Sequence, residues 1–189
     1  RLARPGAATV GLISCGVHAA AQLGCLRTTL GVDRVVAYCR ERARLERFCA
    51  EHRAEPAANG REAAELDVIV TATTSRDPVL RGDWVRPGAL VCAAGTLTLE
   101  ARELDNAVLE RAAFVCCDSL TIARASAGDL VEPVERGVLD WLEVHELAEV
   151  VRGELDGRQS ETDIVVLKLA GLPAVRLALA ALAIERATA

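Results

Sequence analysis

The sequence has no methionine, a single lysine and few aromatic residues: two tryptophans, one tyrosine and two phenylalanines among 189 positions. Without methionine there is no initiator residue, so we expect the chain to be processed, truncated or part of a longer protein. The hydrophobic fraction is nevertheless 51%. The core must therefore be aliphatic, and a chain of this length is sufficient for one domain with a buried core.

The sequence also lacks a run of basic residues, and its formal net charge is −5. A negative chain without a cationic patch does not match the phosphates of nucleic acids or an anionic membrane surface. The apolar stretch 6–26 falls short of about 20 uninterrupted apolar residues, because His18, Arg27 and several glycines break it. We therefore expect no nucleic-acid partner and no membrane association.

The seven cysteines lack the spacing of a metal site or of a disulfide framework. Their number is odd, and neither Cys-x-x-Cys pairs nor a Cys/His cluster occurs. Most of them lie in apolar contexts, which is typical of reduced, buried thiols. With no signal peptide before Ala7, the pattern favours a cytoplasmic protein that holds no metal.

Short apolar runs alternate with helical patterns along the chain. Runs that are continuously apolar predict strands covered on both faces, and their alternation with helices predicts parallel pairing through right-handed crossovers. We therefore expect an α/β fold, a Rossmann-type doubly wound parallel sheet with helices on both faces. The predicted strands are 7–13, 33–38, 67–71, 89–94 and 113–118, and the predicted helices are 19–26, 39–52, 61–65, 102–111 and 173–187.

A tight turn lies between the first predicted strand and the first predicted helix. The first N–H groups of a helix have no internal partners and carry the positive end of its dipole, so an anion binds there. The dinucleotide fingerprint G-x-G-x-x-G/A falls on Ser14, Gly16 and Ala19. Gly16 is retained, whereas Ser14 adds a side chain at the turn. The alternative is an ordinary buried strand–helix junction.

Residues that follow the predicted strands are the candidates for binding a cofactor, because ligands of a doubly wound sheet lie outside the carboxyl ends of its strands. Asp118, after the fifth strand, is expected to act as a hydrogen-bond acceptor. For His18 two interpretations stay open, contact with the cofactor and capping of the helix. The candidate cofactor-binding residues are Ser14, Cys15, Gly16, Val17, His18, Arg40, Thr71, Ala72, Thr73, Ala94 and Gly95.

The residue type after the second strand selects the nucleotide. An NAD site normally has a carboxylate there for the ribose hydroxyls, whereas a 2′-phosphate needs a cation. Arg40 follows Cys39 in this chain, which favours NADP over NAD. Alternatively, Arg40 and the arginines behind it form a solvated helix face paired with Glu41 and Glu46.

Several segments, in chain order, resemble the ornithine cyclodeaminase/mu-crystallin family. The resemblance implies a nicotinamide-nucleotide-binding Rossmann domain over 1–172, a homodimer, and a preceding domain that supplies most substrate contacts. It also implies that the apolar helix in 173–189 packs on that N-terminal domain. The segments are VGLISCGVHAAAQL at 10–23, DVIVTATTSRDPVLRGDWVRPGALV at 67–91, ARELD at 101–105, VCCDS at 115–119, AGDL at 127–130 and GRQSETDIVVLKLAGL at 157–172.

One departure from the family motifs bears on the reaction. Cyclodeaminase members have a catalytic aspartate two residues after the glycine that Gly95 matches, and here that residue is Leu97. An apolar side chain cannot accept a proton. We therefore expect an NAD(P)-dependent imine reductase or amino-acid dehydrogenase that acts on an imine, 2-oxo acid or amino acid. The alternative is a non-catalytic binder of a nucleotide or small molecule, like mu-crystallin.

No catalytic residue is assigned within these 189 residues, and we expect the chain alone to be inactive. Lys168 is its only lysine, which invites a catalytic interpretation. We expect instead that Lys168 caps a helix or lies beside the cofactor pocket.

Overall fold

Eight strands form one parallel sheet in the computed structural model, which describes residues 1–188. They are β1 (Thr9–Ile13), β2 (Arg34–Tyr38), β3 (Glu55–Pro56), β4 (Val68–Thr71), β5 (Leu90–Ala93), β6 (Ala112–Cys117), β7 (Val144–Glu146) and β8 (Ile164–Lys168). Their order in the sheet is β3-β2-β1-β4-β5-β8-β6-β7, and every pairing is parallel. The chain thus proceeds from β1 to one edge, then returns to the other side of β1 with β4.

The helices connect these strands in the order of a doubly wound fold. Short 3-10 helices also occur at Gly82–Trp84 and Trp141–Glu143. The α-helices of the described chain are α1 (Val17–Thr29), α2 (Arg42–His52), α3 (Gly60–Ala64), α4 (Asn106–Glu110), α5 (Leu120–Ser126), α6 (Gly128–Glu135), α7 (Leu147–Arg152) and α8 (Pro173–Thr188).

The sheet separates two layers of core, because successive residues of a strand point to opposite faces. Val36, Ile69 and Val91 belong to one layer, which includes residues of α3, α4, α5 and α6. Val35 and Val70 belong to the other, which includes residues of α1, α2 and α7. Helices cover both faces, and the expected Rossmann-type α/β fold is confirmed.

Gly11 in β1 allows the sheet to approach α3. A Cβ at this position would lie 1.7 Å from the carbonyl oxygen of Ala63. Since no real pair of such atoms comes so close, the strand and the helix can pack in this way only around a glycine.

The predicted helix at 102–111 is too long at its start. The side chain of Asp105 accepts a hydrogen bond from Val108 N at 3.1 Å and caps α4, so the helix begins at Asn106. Upstream of it, Leu104 forms an isolated parallel bridge with Leu80. The segment before Asp105 is therefore not helical.

Helix α8 exposes a large share of its apolar side chains. Leu177, Leu179 and Leu182 are 72%, 61% and 43% exposed. Among residues 1–188, no helix is both long enough and apolar enough to cross a membrane.

Candidate functional site

A cavity of about 790 Å³ opens at the carboxyl edge of the sheet, beside the neighbouring ends of β1 and β4. This is the point at which the strand order reverses, where ligands bind in doubly wound folds. Its walls come from the ends of β1, β2, β4 and β5 and from the start of α3. The lining residues are Ile13, Ser14, Cys15, Gly16, Val17, His18, Tyr38, Cys39, Arg40, Glu41, Arg44, Asn59, Gly60, Ala72, Thr73, Thr74, Ser75, Val79, Trp84 and Gly95.

The structure brings most of the predicted cofactor-binding residues together at this cavity. Nine of the eleven line it: Ser14, Cys15, Gly16, Val17, His18, Arg40, Ala72, Thr73 and Gly95. The lining, taken over the described residues, does not include Thr71 or Ala94. Thr71 is the last residue of β4 and fully buried, and its carbonyl accepts a hydrogen bond from Ala94 N at 2.8 Å. These two residues join neighbouring strands behind the cavity wall, so the structure places neither in the lining, and their contact with a cofactor stays a prediction.

The start of α1 faces the cavity without a side-chain cap. Gly16 is its N-cap in an extended conformation, and the first turn has no acidic residue. A Cβ at Gly16 would lie 3.5 Å from Arg44 and 3.6 Å from Ser14, which is ordinary contact. The protein's own packing therefore does not require a glycine here. A close approach by a ligand's phosphate to the backbone would require one.

Three arginines near the end of β2 have different environments. Arg42 pairs with Glu46 at 2.7 Å, as the solvated-face interpretation predicts. The Nε of Arg44 donates to the carbonyl of Cys15 at 3.0 Å and ties α2 to the first turn. Arg40 is exposed and lines the cavity, and within residues 1–188 it has neither a hydrogen bond nor an ion pair. Arg40 is therefore available to a ligand.

The thiol of Cys15 is a neutral part of the wall. Burial of Cys15, together with its hydrogen bond to Cys39, raises the pKa of the Cys15 thiol above its usual range. Since only a thiolate is an effective nucleophile, Cys15 does not serve as one at neutral pH.

Two buried carboxylates lie directly behind the cavity. Glu103 accepts hydrogen bonds from Thr73 N at 2.6 Å and from Gly95 N at 2.7 Å. Asp129 accepts from the backbone N–H groups of Glu103 and Leu104, at 2.6 and 2.9 Å. Both side chains are fully buried. Sequence reasoning missed both residues, although each lies in a segment that carries the family resemblance.

Lys168 is the partner of Asp129. Its Nζ donates to Asp129 Oδ2 at 2.8 Å and to the carbonyl of Thr96 at 2.7 Å, and the Thr96 hydroxyl donates to Asp129 at 3.1 Å. Lys168 ends β8 and is fully buried. Of the two expected roles, the helix cap is wrong, because the ammonium group lies in an internal ion pair. A place beside the cofactor pocket stays a prediction, and the bond to Thr96, next to the cavity-lining Gly95, is consistent with it.

Asp118 has the role that the sequence predicts. Its carboxylate accepts hydrogen bonds from the backbone N–H groups of Ala170, Gly171 and Leu172 at 2.6, 2.9 and 3.0 Å. It thereby fixes the turn between β8 and α8. Over the described range, no three His, Cys, Asp or Glu side chains form a group that could hold a metal ion.

Comparison with known proteins agrees with this geometry. The family model described as the ornithine cyclodeaminase/mu-crystallin family matches residues 1–189. Alanine dehydrogenase of Archaeoglobus fulgidus is 34% identical over an alignment of 191 positions, which covers 98% of this chain and 59% of that protein. The chain thus spans under two thirds of the length of that relative.

Two solved structures show the same fold. Thermococcus litoralis Delta(1)-pyrroline-2-carboxylate reductase in complex with NADH and L-proline has a TM-score of 0.85 and 30% identity, covering 90% of this chain and 55% of that chain. An archaeal alanine dehydrogenase dimer with bound NAD has a TM-score of 0.84 and 32% identity, with coverages of 90% and 54%.

Proposed function

Because the chain belongs to the ornithine cyclodeaminase/mu-crystallin family, we propose that it is the nicotinamide-nucleotide-binding part of an oxidoreductase. The observation that carries the proposal is the cavity at the reversal of strand order, with the uncapped start of α1 in its wall. Unpaired N–H groups at a helix start bind the pyrophosphate of a dinucleotide. The cavity volume of about 790 Å³ also lies within the usual range of ligand sites.

The proposed reaction is hydride transfer to an imine, or interconversion of an amino acid and a 2-oxo acid. When bound, the nicotinamide supplies or accepts the hydride. The chain's own contribution is to bind the nucleotide between the turn at Ser14–Gly16 and the loops after β4 and β5. Leu97 is 39% exposed near this end of the sheet and has no group that could accept a proton. This supports redox chemistry over the cyclodeaminase reaction.

NADP is proposed as the preferred nucleotide over NAD. Arg40 is exposed at the end of β2, where the ribose of the adenosine lies in this fold, and it can pair with a 2′-phosphate. The two structural relatives contain NADH and NAD, so the preference rests on Arg40 alone. Glu41 also lines the cavity, and its charge opposes that of Arg40.

Replacing Arg40 by alanine is expected to weaken NADPH binding about tenfold and to leave NADH binding unchanged, since only NADPH has the 2′-phosphate. Fluorescence titration of the full-length protein with each nucleotide measures both affinities. Arg42→Ala is the matched control, because Arg42 pairs with Glu46 and should affect neither nucleotide. An unchanged preference in Arg40→Ala, or tighter binding of NADH than NADPH by the unmodified protein, contradicts the NADP proposal.

The full-length protein is expected to oxidise NADPH when supplied with cyclic imines, or with 2-oxo acids and ammonia. The 189-residue chain alone is expected to give no turnover, since its cavity accounts only for the nucleotide. Positioning of the substrate contributes on the order of 7–11 kcal/mol of barrier reduction. The turnover of the full-length protein and of the 189-residue chain is measured as the loss of NADPH fluorescence. Nucleotide binding without turnover by the full-length protein would favour the non-catalytic binder instead.

We also propose that the protein is a homodimer and that α8 packs on an N-terminal domain outside this chain. The exposed leucines of α8 support this, because covering apolar surface contributes about 25 cal/mol per Å². The dimeric state of the archaeal alanine dehydrogenase agrees with it. A cytoplasmic location completes the proposal, and the free thiols support it because disulfides persist mainly in oxidising compartments.

A further inference from the structure

The Glu103 carboxylate joins two loops of the proposed nucleotide site without lining the cavity itself. One oxygen accepts from Thr73 N, after β4, and the other accepts from Gly95 N, after β5. Both Thr73 and Gly95 line the cavity, whereas Glu103 is fully buried. A single side chain therefore links the two loops, one oxygen to each.

The backbone of Gly95 lies close against both Thr73 and this carboxylate. A Cβ at Gly95 would lie 2.3 Å from both the N and the O of Thr73 and 2.4 Å from Oε1 of Glu103. The backbone of Glu103 is itself held by Asp129, which accepts from Glu103 N at 2.6 Å. Asp129 is paired in turn with the buried Lys168. The backbone that carries the carboxylate is thus held in place by a buried ion pair.

The two loops lie on one side of the site. In a Rossmann fold, the strands on either side of the reversal form two mononucleotide-binding halves. The turn after β1 and the loop after β2 belong to the half that would receive the adenosine. The loops after β4 and β5 belong to the half that would receive the nicotinamide. Within residues 1–188, the hydrogen bonds of the Glu103 carboxylate go to this second half alone.

Resting on the proposed function, we infer that Glu103 is a positioning residue that presets the nicotinamide half of the site. Its two charge-assisted hydrogen bonds satisfy N–H groups that face it from neighbouring loops. An amide in its place could accept from one N–H but would present its own NH₂ group to the other. Loss of the carboxylate should therefore release one loop and leave the adenosine half in place.

The test compares whole nucleotides with an adenosine fragment on the full-length protein. Glu103→Gln is expected to bind NADH and NADPH about tenfold more weakly, the usual effect of losing a hydrogen bond to a charged group. Adenosine 2′,5′-bisphosphate should bind as tightly as before, since it occupies only the other half. Glu100→Gln is the matched control, because Glu100 is exposed and close in sequence, and it should leave all three affinities unchanged.

Each outcome has a distinct meaning. Tighter nucleotide binding by Glu103→Gln would show that the charge merely repels phosphate, and equal loss of the fragment would show a general structural role. Either result overturns the inference, as do unchanged affinities. Absence of nucleotide binding by the unmodified protein overturns the proposed function as well.

If Glu103→Gln does not fold, nuclear magnetic resonance of the unmodified protein gives the second measurement. The amide protons of Thr73 and Gly95 should resist exchange equally with and without NADPH, because the loops are preset before binding. Protection that arises only on nucleotide binding would show that the ligand orders the loops, and the inference would fail.

Discussion

Replacement of Asp129 by alanine is expected to destabilise the folded protein by about 3–5 kcal/mol, because it leaves a buried ammonium group without its counter-charge. Lys168 and Asp129 have no solvent exposure, and their contact at 2.8 Å is the only ion pair in residues 1–188 with both side chains fully buried. The change also removes the acceptor for the backbone N–H groups of Glu103 and Leu104. Urea unfolding of the two proteins measures the difference in unfolding free energy.

A double variant separates the charge from the packing. In Asp129→Leu with Lys168→Met both charges are absent and apolar volume is kept, so much of the lost stability should return. A double variant no more stable than Asp129→Ala would show that the hydrogen bonds to the backbone, rather than the unpaired charge, account for the loss. If Asp129→Ala were as stable as the unmodified protein, that result would contradict the burial of the ion pair.

Gly11→Ala is expected to lower the free energy of unfolding by more than about 4 kcal/mol or to prevent folding. The new Cβ would lie 1.7 Å from the carbonyl oxygen of Ala63. The Ala63 oxygen is a backbone atom and the new Cβ is bonded directly to the backbone, so no side-chain rotation can relieve the clash. Either β1 or α3 must move. Because β1 is central in the sheet, its displacement would disturb the cavity as well. Thermal unfolding monitored by circular dichroism measures the loss of stability.

Gly24→Ala provides the control for this variant. Gly24 lies within α1, and a Cβ there would meet nothing within 4 Å. Alanine is favoured over glycine inside helices by about 1 kcal/mol, so this variant should gain stability. Similar unfolding midpoints for Gly11→Ala and the unmodified protein would show that the close approach of β1 to α3 is not required.

The central strands could be predicted because each is buried on both faces and therefore continuously apolar. The predicted runs 33–38 and 67–71 differ from β2 and β4 by one residue at their starts. Strand β8 was not predicted separately, although Ile164–Lys168 pairs with both β5 and β6. Its last residue is a lysine, whose burial depends on a carboxylate 39 residues earlier in the chain.

The loops of the site were predictable from a geometric rule, since carboxyl ends of parallel strands meet at one edge. Residues that reach the cavity from elsewhere were not. Asn59 and Trp84 belong to segments that do not end a predicted strand, and only tertiary packing brings them to the wall. Glu103 bonds Thr73 across 30 positions, a contact for which the local sequence pattern carries no signal.

Burial of Lys168 gives the protein a built-in chemical probe of its folded state. Lys168 is the only lysine of the chain and has no accessible surface. An amine-reactive reagent therefore meets no lysine side chain while the interior stays closed. The rate at which Lys168 becomes acylated measures how often this interior opens, without the introduction of a label.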